Sequence, residues 1–257
     1  MTPTSFSTWS DRFKASSLHL VISMAIAAAA GLLVFGLWYP YPYREISGGR
    51  ELFLLVVAVD VVVGPLITFT VFNLAKPKTE LVRDLALVGI IQLFALSYGV
   101  WSVYVARPVH LVFEFDRFRV VHAIEIPEEL LNQKPADIDP FPLAGPTLLA
   151  VRPFRSVKEE GAATMVALQG ISFSARPDFW QPYSDARARV IAAAKPAADL
   201  RKRFPQQLTS IDMALKATGH DEDKLAYLPL VSRATAWTVL LDADTAEIRG
   251  FVPLNSF

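Results

Sequence analysis

The chain has 257 residues, of which 53% are hydrophobic, and its mean hydropathy of +0.34 is too high for an ordinary soluble domain. Its formal net charge is zero, so no overall basic field would attract nucleic acid or acidic polymers. It contains no cysteine, which excludes disulfides, thiolate nucleophiles and cysteine-based metal sites.

Three apolar segments near the N-terminus are each long enough to cross a hydrocarbon core of about 30 Å. They comprise residues 18–39, 52–74 and 85–106, so residues 1–106 are predicted to form a transmembrane three-helix region. Residues 107–257 have mixed polarity and are predicted to form one α+β domain. The predicted fold class is therefore a membrane protein with three N-terminal transmembrane α-helices followed by an α+β periplasmic domain.

The first segment has an alternative interpretation as a cleaved signal peptide, with Ala28, Ala29 and Ala30 as small residues for cleavage. The apolar run continues from Gly31 to Phe35, where a cleavage site should have ended it. This continuation favours a retained helix.

One carboxylate, Asp60, lies in the middle of the second span, and Gly64 and Pro65 follow about one helical turn later. Asp at a helix centre costs roughly 2.5 to 3.5 kcal/mol on insertion, while each of about sixteen apolar residues in the span returns roughly 0.3 to 0.6 kcal/mol. The span therefore inserts despite Asp60. Charged groups inside a bilayer are rare, and by default they mark a functional pairing or a packing switch.

Two interpretations of Asp60 remain open. Pro65 cannot donate to the carbonyl of Val61, so the helix should kink and leave an acceptor beside the carboxyl group. A protonated Asp60 could bond within the bundle to a polar residue of the third span, namely Gln92, Ser97 or Tyr98. Alternatively, Asp60 could meet a polar group on a transmembrane partner, and Gly64 would then let that partner approach closely.

Basic residues near the spans predict the orientation. Arg12 and Lys14 precede the first span, and Lys76, Lys78 and Arg83 separate the second from the third. The first loop carries only two arginines, each beside a glutamate. By the positive-inside rule, the N-terminus is cytoplasmic and residues 107–257 lie on the far side, which is the periplasm of a Gram-negative bacterium.

The exported region begins with a predicted β-hairpin over 109–126, in which apolar residues alternate and Asp116-Arg117 forms the turn. A helical turn at 128–132 and a short strand at 147–151 follow. Residues 156–169 are predicted as a helix because Ser156 is a suitable N-cap.

A longer helix is predicted from Ser184 to about Phe204, with a kink at Pro196. Residues 206–217 form the next predicted helix, which Gly219 should end as a C-cap. The last predicted elements are strands at 227–232, 236–241 and 248–254, with a turn at 242–245.

No catalytic, cofactor-binding or metal site is predicted. The four histidines lack metal-ligand spacing, and no Gly-rich phosphate loop or nucleophile elbow occurs. His110 and His122 lie in the predicted hairpin and are interpreted as strand-surface residues. The Asp137/Asp139 and Asp242/Asp244 pairs have oxygen-ligand spacing without the rest of a calcium loop, so they are interpreted as turn residues.

Two surface features have both a functional and a structural interpretation. Trp180 and Tyr183 belong to an aromatic segment that could form a binding hot spot or a packed corner of the core. The basic cluster Arg201-Lys202-Arg203 could face an acidic partner, although a solvated helix face is the plainer explanation.

Several motifs resemble the TfpX/TfpZ family of type IV pilin accessory proteins. The motifs are Ile46-Ser47-Gly48-Gly49-x-Glu51-Leu52-Phe53, Val59-Asp60-Val61-Val62-Val63-Gly64-Pro65-Leu66, Lys76-Pro77, Gln92-Leu93, Arg107-Pro108-Val109, Val112-Phe113-Glu114-x-Asp116-Arg117-Phe118-x-Val120-Val121 and Arg176-Pro177-x-x-Trp180-x-Pro182-Tyr183. The resemblance is dense from about Phe13 to Ile126 and sparser beyond.

The resemblance implies an inner-membrane factor that helps a cognate type IV major pilin reach or keep an assembly-competent state, without chemistry of its own. The expected partners are that pilin and the lipid bilayer, with no nucleic acid, and the candidate partner-binding residues are Asp60, Gly64, Pro65, Trp180 and Tyr183. Two alternatives remain: a membrane-anchored enzyme that modifies pilin or envelope glycan, and a periplasmic ligand sensor.

Overall fold

The computed structural model describes residues 9–257, which form two compact units. The helical unit comprises the described residues up to Leu37 together with Gly49–Val105. The sheet unit comprises Trp38–Gly48 together with Ala106–Phe257. This division differs from the predicted boundary because the segment after the first span belongs to the sheet unit, where Tyr43 and Ile46 are buried in the core.

Three long helices make up the helical unit. In chain order these are α1 (Trp9–Leu33), which continues as a π-helical turn (Val34–Trp38); α3 (Gly49–Ala58), a second π-helical turn (Val59–Val63) and α4 (Gly64–Val71), which together form the second helix; and α5 (Lys78–Val105). The short helix α2 (Tyr43–Ile46) lies between α1 and α3 in the chain and belongs to the sheet unit. The first helix, the second helix from α3 to α4, and α5 are each long and apolar enough to cross a membrane. This confirms the predicted three-helix part of the fold.

Close side-chain contacts hold these helices together. Phe69 of α4 meets Phe13 and Trp9 of α1 at ring-centroid distances of 5.0 and 5.7 Å. Between α3 and α5 the contact is tighter, because a Cβ atom at Gly99 would lie 2.6 Å from a methyl group of Val56. Gly99 therefore sets how closely α3 and α5 can approach.

The sheet unit is built on one mixed sheet. Its eight strands are β1 (Pro108–Glu114), β2 (Arg117–His122), β3 (Thr147–Val151), β4 (Trp180–Pro182), β5 (Lys195–Pro196), β6 (Leu225–Val231), β7 (Ala236–Asp242) and β8 (Ile248–Val252). The spatial order is β4-β3-β1-β2-β6-β7-β8, and β5 pairs with β6. The pairs β1–β3 and β2–β6 are parallel, and the other pairs are antiparallel. A mixed sheet accompanied by helices confirms the predicted α+β class.

Besides α2, the described part of the sheet unit contains α6 (Val157–Leu168), α7 (Arg187–Ala193), α8 (Ala198–Arg203) and α9 (Leu208–Ala217). The predicted cap of α6 is present, since the Ser156 hydroxyl accepts a hydrogen bond from the Glu159 N–H at 3.1 Å. Gly219, just after α9, has a φ of +69°, and its N–H donates to the Lys216 carbonyl. This conformation is the one that favours glycine after a helix.

The predicted helix from Ser184 to Phe204 is wrong. The segment instead divides into α7, the two-residue strand β5 and α8. Pro196 cannot donate a helical hydrogen bond, and here it lies in β5, paired with Ala226 of β6. The next residue, Ala197, donates its N–H to the Leu225 carbonyl at 2.9 Å. The proline therefore interrupts the helix and lets the chain pair with the sheet.

Strand β1 is buried along its whole length because side chains cover the sheet on both faces. Phe113 and Phe118 pack in the core on one face, and Val112 and Val121 pack on the other. The alternation seen in the sequence therefore divides β1 between two cores and does not separate a buried face from a solvated one.

Candidate functional site in the helical unit

Asp60 lies in the π-helical turn near the middle of the second helix. Its side chain is buried, with 7% of the residue exposed, and its Oδ1 atom has no hydrogen-bond partner among residues 9–257. A buried carboxyl oxygen without a donor is costly, since desolvation is not offset by a bond. Short π-helical turns are rare and occur often at functional sites.

Pro65 explains the local backbone. It has no N–H, so it can supply neither the α-helical bond to the Val61 carbonyl nor the π-helical bond to the Asp60 carbonyl. The Gln92 side chain of α5 donates to the Asp60 carbonyl at 3.5 Å. The predicted contact between Gln92 and Asp60 therefore exists, but it involves the backbone oxygen and leaves the carboxyl group free.

Gly64 makes room for that glutamine. A Cβ atom at position 64 would collide with the Gln92 side-chain amide. Gly64 is buried inside the unit. The close approach at Gly64 is therefore made by α5 of the same chain, whereas one of the two sequence interpretations gave it to a transmembrane partner.

The first helix contributes polar partners that the sequence reasoning missed. Ser16 donates to the Pro65 carbonyl at 2.8 Å, and His19 Nδ1 lies 2.5 Å from Thr68 Oγ1. Ser23 is buried one turn further on. The spacing of Ser16, His19 and Ser23, which places them on one helix face, is the signal that could have identified this polar stripe.

Asp60, His19 and Ser23 border a cavity of about 170 Å³ within the helical unit. Its lining residues are His19, Ile22, Ser23, Ile26, Asp60, Gly89, Gln92, Leu93 and Leu96. His19 lies close enough to Asp60 for an attractive Coulomb interaction when both are charged. The site can therefore accept a hydrogen bond or a positive charge from a group that enters the cavity.

Trp180 and Tyr183, the other two predicted partner-binding residues, are buried in the sheet unit. The Trp180 indole N–H donates to the Ser174 carbonyl at 2.8 Å, and the Tyr183 hydroxyl donates to the Ala246 carbonyl at 2.7 Å. The polar group of each side chain is therefore hydrogen-bonded inside the domain. This arrangement favours core packing over a surface hot spot.

The interpretation of His110 and His122 as strand-surface residues is wrong, because both are fully buried. His110 contacts Thr147 Oγ1 at 2.7 Å and the Pro140 carbonyl at 3.2 Å. Burial lowers the pKa of His110 to about 4, since desolvation disfavours the imidazolium. His110 is therefore a neutral structural residue at physiological pH.

The basic cluster is engaged within its own unit. Arg201 pairs with Glu222 at 3.0 Å and with Asp212, and Arg203 donates to the Tyr227 hydroxyl at 2.7 Å. Lys202 remains largely exposed. These contacts favour a structured helix surface over a dedicated binding patch.

The two aspartate pairs lie in turns. The Asp139 carboxylate accepts from the Phe141 N–H, and the Asp242 carboxylate accepts from the N–H groups of Asp244 and Thr245. Among residues 9–257, no group of three or more His, Asp or Glu side chains could hold a metal ion.

Comparison with known proteins identifies relatives of this chain. Residues 7–48 match the family described as fimbrial assembly protein FimB. The chain is 37% identical over 246 residues to the fimbrial assembly proteins of serogroups I and E1 of Dichelobacter nodosus, and each alignment covers 95% of both proteins. It is 41% identical over 122 residues to the protein of serogroups C1 and C2, which covers 48% of this chain and 91% of that protein. No solved structure matches the chain.

Proposed function

Because the chain belongs to the family of fimbrial assembly proteins, we propose that it is an inner-membrane accessory factor of type IV pilus assembly that binds or stabilises a major pilin. The pilin would be held before or during its incorporation into the pilus. The family supports the assembly role, and the resemblance to TfpX/TfpZ proteins supports the choice of pilin as client.

One observation carries the binding part of this proposal. The helical unit presents a buried carboxyl group, Asp60, whose Oδ1 has no hydrogen-bond partner among the described residues and which borders a cavity. In hydrocarbon an unsatisfied acceptor is expensive, so a partner that supplies a donor gains binding free energy there. A pilin anchored by an apolar helix could supply that donor.

The proposed topology has a cytoplasmic N-terminus, three membrane crossings and a periplasmic sheet unit. The basic residues before the first span and between the second and third spans support this orientation. Reporter fusions test it: an alkaline phosphatase fused after Phe257 should be active, and one fused between Lys76 and Lys78 should be inactive. The reverse pattern would place the sheet unit in the cytoplasm.

Two measurements test the function as a whole. A clean deletion should reduce surface pili and twitching, and the full-length protein should co-purify from detergent-solubilised membranes with the type IV major pilin of the same strain. The co-purified amount should be compared with that obtained from a strain that lacks the pilin gene. Normal piliation together with no recovery of pilin would contradict the proposal.

We also propose that the protein acts without chemistry of its own. The intact mass of the major pilin should then be the same in the wild type and in the deletion strain. A mass difference that complementation restores would favour the alternative of a membrane-anchored modifying enzyme.

A further inference from the structure

A groove runs between α1 and α5. The groove has one wall on α1 and one wall on α5. In each wall the lining residues are spaced i, i+3, i+4 and i+7, which is how a helix presents one face to a neighbouring helix. The wall residues are His19, Ile22, Ser23 and Ile26 on α1, and Gly89, Gln92, Leu93 and Leu96 on α5. Each wall extends over about two helical turns, or roughly 11 Å.

Asp60 forms the floor of this groove. Either protonation state of its carboxyl group retains an acceptor oxygen, and Oδ1 receives no donor from residues 9–257. The cavity of about 170 Å³ is comparable with the roughly 150 Å³ that accommodates a benzene molecule, so it can admit one large side chain. Asp60 and Gln92 each lie near the middle of their helices.

The rim of the groove is open and apolar. Ile22 is 51% exposed and Leu93 is 60% exposed. A Cβ atom at Gly89 would have no atom of another segment within 4 Å, so the backbone of α5 is accessible there. Small residues of this kind allow a further helix to pack closely in a membrane.

We infer that this groove receives one further transmembrane helix, whose side chain donates a hydrogen bond to Asp60 halfway across the bilayer. The donor is a hydroxyl, an amide or a cationic group on an otherwise apolar helix. Acyl chains could fill the apolar rim but cannot donate to the carboxyl group, so lipid leaves the acceptor unsatisfied. The inference rests on the proposed function, which makes the hydrophobic segment of the pilin the expected occupant.

Site-specific photocrosslinking in cells tests the position of that helix. A photoreactive residue replaces Ile22 or Leu93 in the full-length protein, and Ile91 provides the matched control. Ile91 lies on the opposite face of α5 and is similarly exposed, at 58%. Pilin adducts, identified by mass spectrometry, should form at Ile22 and Leu93 and be at least about tenfold weaker at Ile91.

Two substitutions test the groove itself. Gly89→Leu places a large side chain in the groove at a position where a Cβ atom has no neighbour within 4 Å, and Asp60→Leu removes the acceptor. Each should lower the pilin adduct at Ile22 by about tenfold, the change expected when a well-packed contact or a hydrogen bond to a charged group is lost. Gly36→Leu is the control, since position 36 also has open space but lies outside the groove. It should leave the adduct within about twofold.

The outcomes separate this inference from the proposed function. Pilin that co-purifies but crosslinks equally at Ile91, or only through the sheet unit, would overturn the groove and leave the accessory role intact. Adducts only with lipid or with a second copy of this chain would also overturn the assigned occupant. Absence of pilin from both the adducts and the co-purified material, with normal piliation, would overturn both proposals.

Discussion

The contact between Gly99 and Val56 predicts a specific loss of stability on Gly99→Ala. The added Cβ would lie 2.6 and 2.7 Å from the two methyl groups of Val56 and 3.2 Å from its Cβ. Valine in a helix has one strongly preferred rotamer, so its methyl groups cannot both move away. To restore a carbon–carbon separation of about 3.5 Å or more, α3 and α5 must move apart by close to 1 Å.

Overpacking of this kind costs roughly 1 to 3 kcal/mol, while replacing a helical glycine by alanine returns up to about 1 kcal/mol. We therefore expect Gly99→Ala to lower the free energy of unfolding by about 1 to 2 kcal/mol. Gly89→Ala, in the same helix but with open space around the new methyl group, should be neutral or stabilising by up to about 1 kcal/mol.

The assay is unfolding of the purified full-length protein in mixed micelles, followed by circular dichroism during titration with SDS. Adding Val56→Ala to Gly99→Ala should recover stability, because it removes the two closest methyl groups. The coupling free energy between the two positions should be about 1 kcal/mol or more. Equal stability of Gly99→Ala and Gly89→Ala, or strictly additive losses in the double variant, would refute the packing argument.

Three further predictions concern other parts of the chain. The pKa of His110 is about 4 in the folded protein and about 6.5 when unfolded, so the unfolded state binds more protons between these values. Stability should fall by about 3 kcal/mol as the pH drops from 6.5 to 4, and His110→Asn should flatten this part of a denaturation profile. Ser156→Ala should lower the free energy of unfolding, measured by urea titration, by about 1 kcal/mol because the α6 cap is lost. An unchanged free energy of unfolding would show that the cap does not stabilise the protein. In piliation assays Asp60→Ala should impair assembly and Asp60→Asn should be milder, because Asn keeps an acceptor oxygen and adds donors; equal activity of all three forms would reduce Asp60 to a packing residue.

Much of the fold could be predicted because its signals are local. The cap of α6, the strand at Thr147–Val151 and the last three strands follow from residue type and alternation within a few positions. The segment around Pro196 could not be predicted in the same way. Its pairing with β6 depends on residues about thirty positions away, and that tertiary contact overrides local helix propensity.

The burial of His110 and His122 shows a related limit. Alternation along a strand shows which residues share a face, but it does not show whether one face or both faces are covered. Here the second face of β1 is covered as well, and Trp180 packs against His110 at a ring-centroid distance of 4.6 Å. The aromatic residue proposed for partner binding and the histidine interpreted as exposed therefore belong to the same buried layer.

Asp60 was identifiable from sequence because one charge in an apolar run is visible without any structure, whereas its surroundings depend on the pairing of three helices. Pro65 removes a backbone donor, and Gln92 supplies another; the Pro65 carbonyl in turn accepts from Ser16. In the described helical unit, Asp60 Oδ1 is the one buried side-chain oxygen or nitrogen without a hydrogen-bond partner. The helical unit provides hydrogen-bond donors for the backbone carbonyls of Pro65 and Asp60 but not for Asp60 Oδ1. The unsatisfied acceptor is therefore specific to the carboxyl group that borders the groove and is not a general consequence of the proline. A partner that supplies a hydrogen-bond donor to Asp60 Oδ1 would therefore satisfy the one buried polar side-chain atom that the described helical unit leaves without a partner.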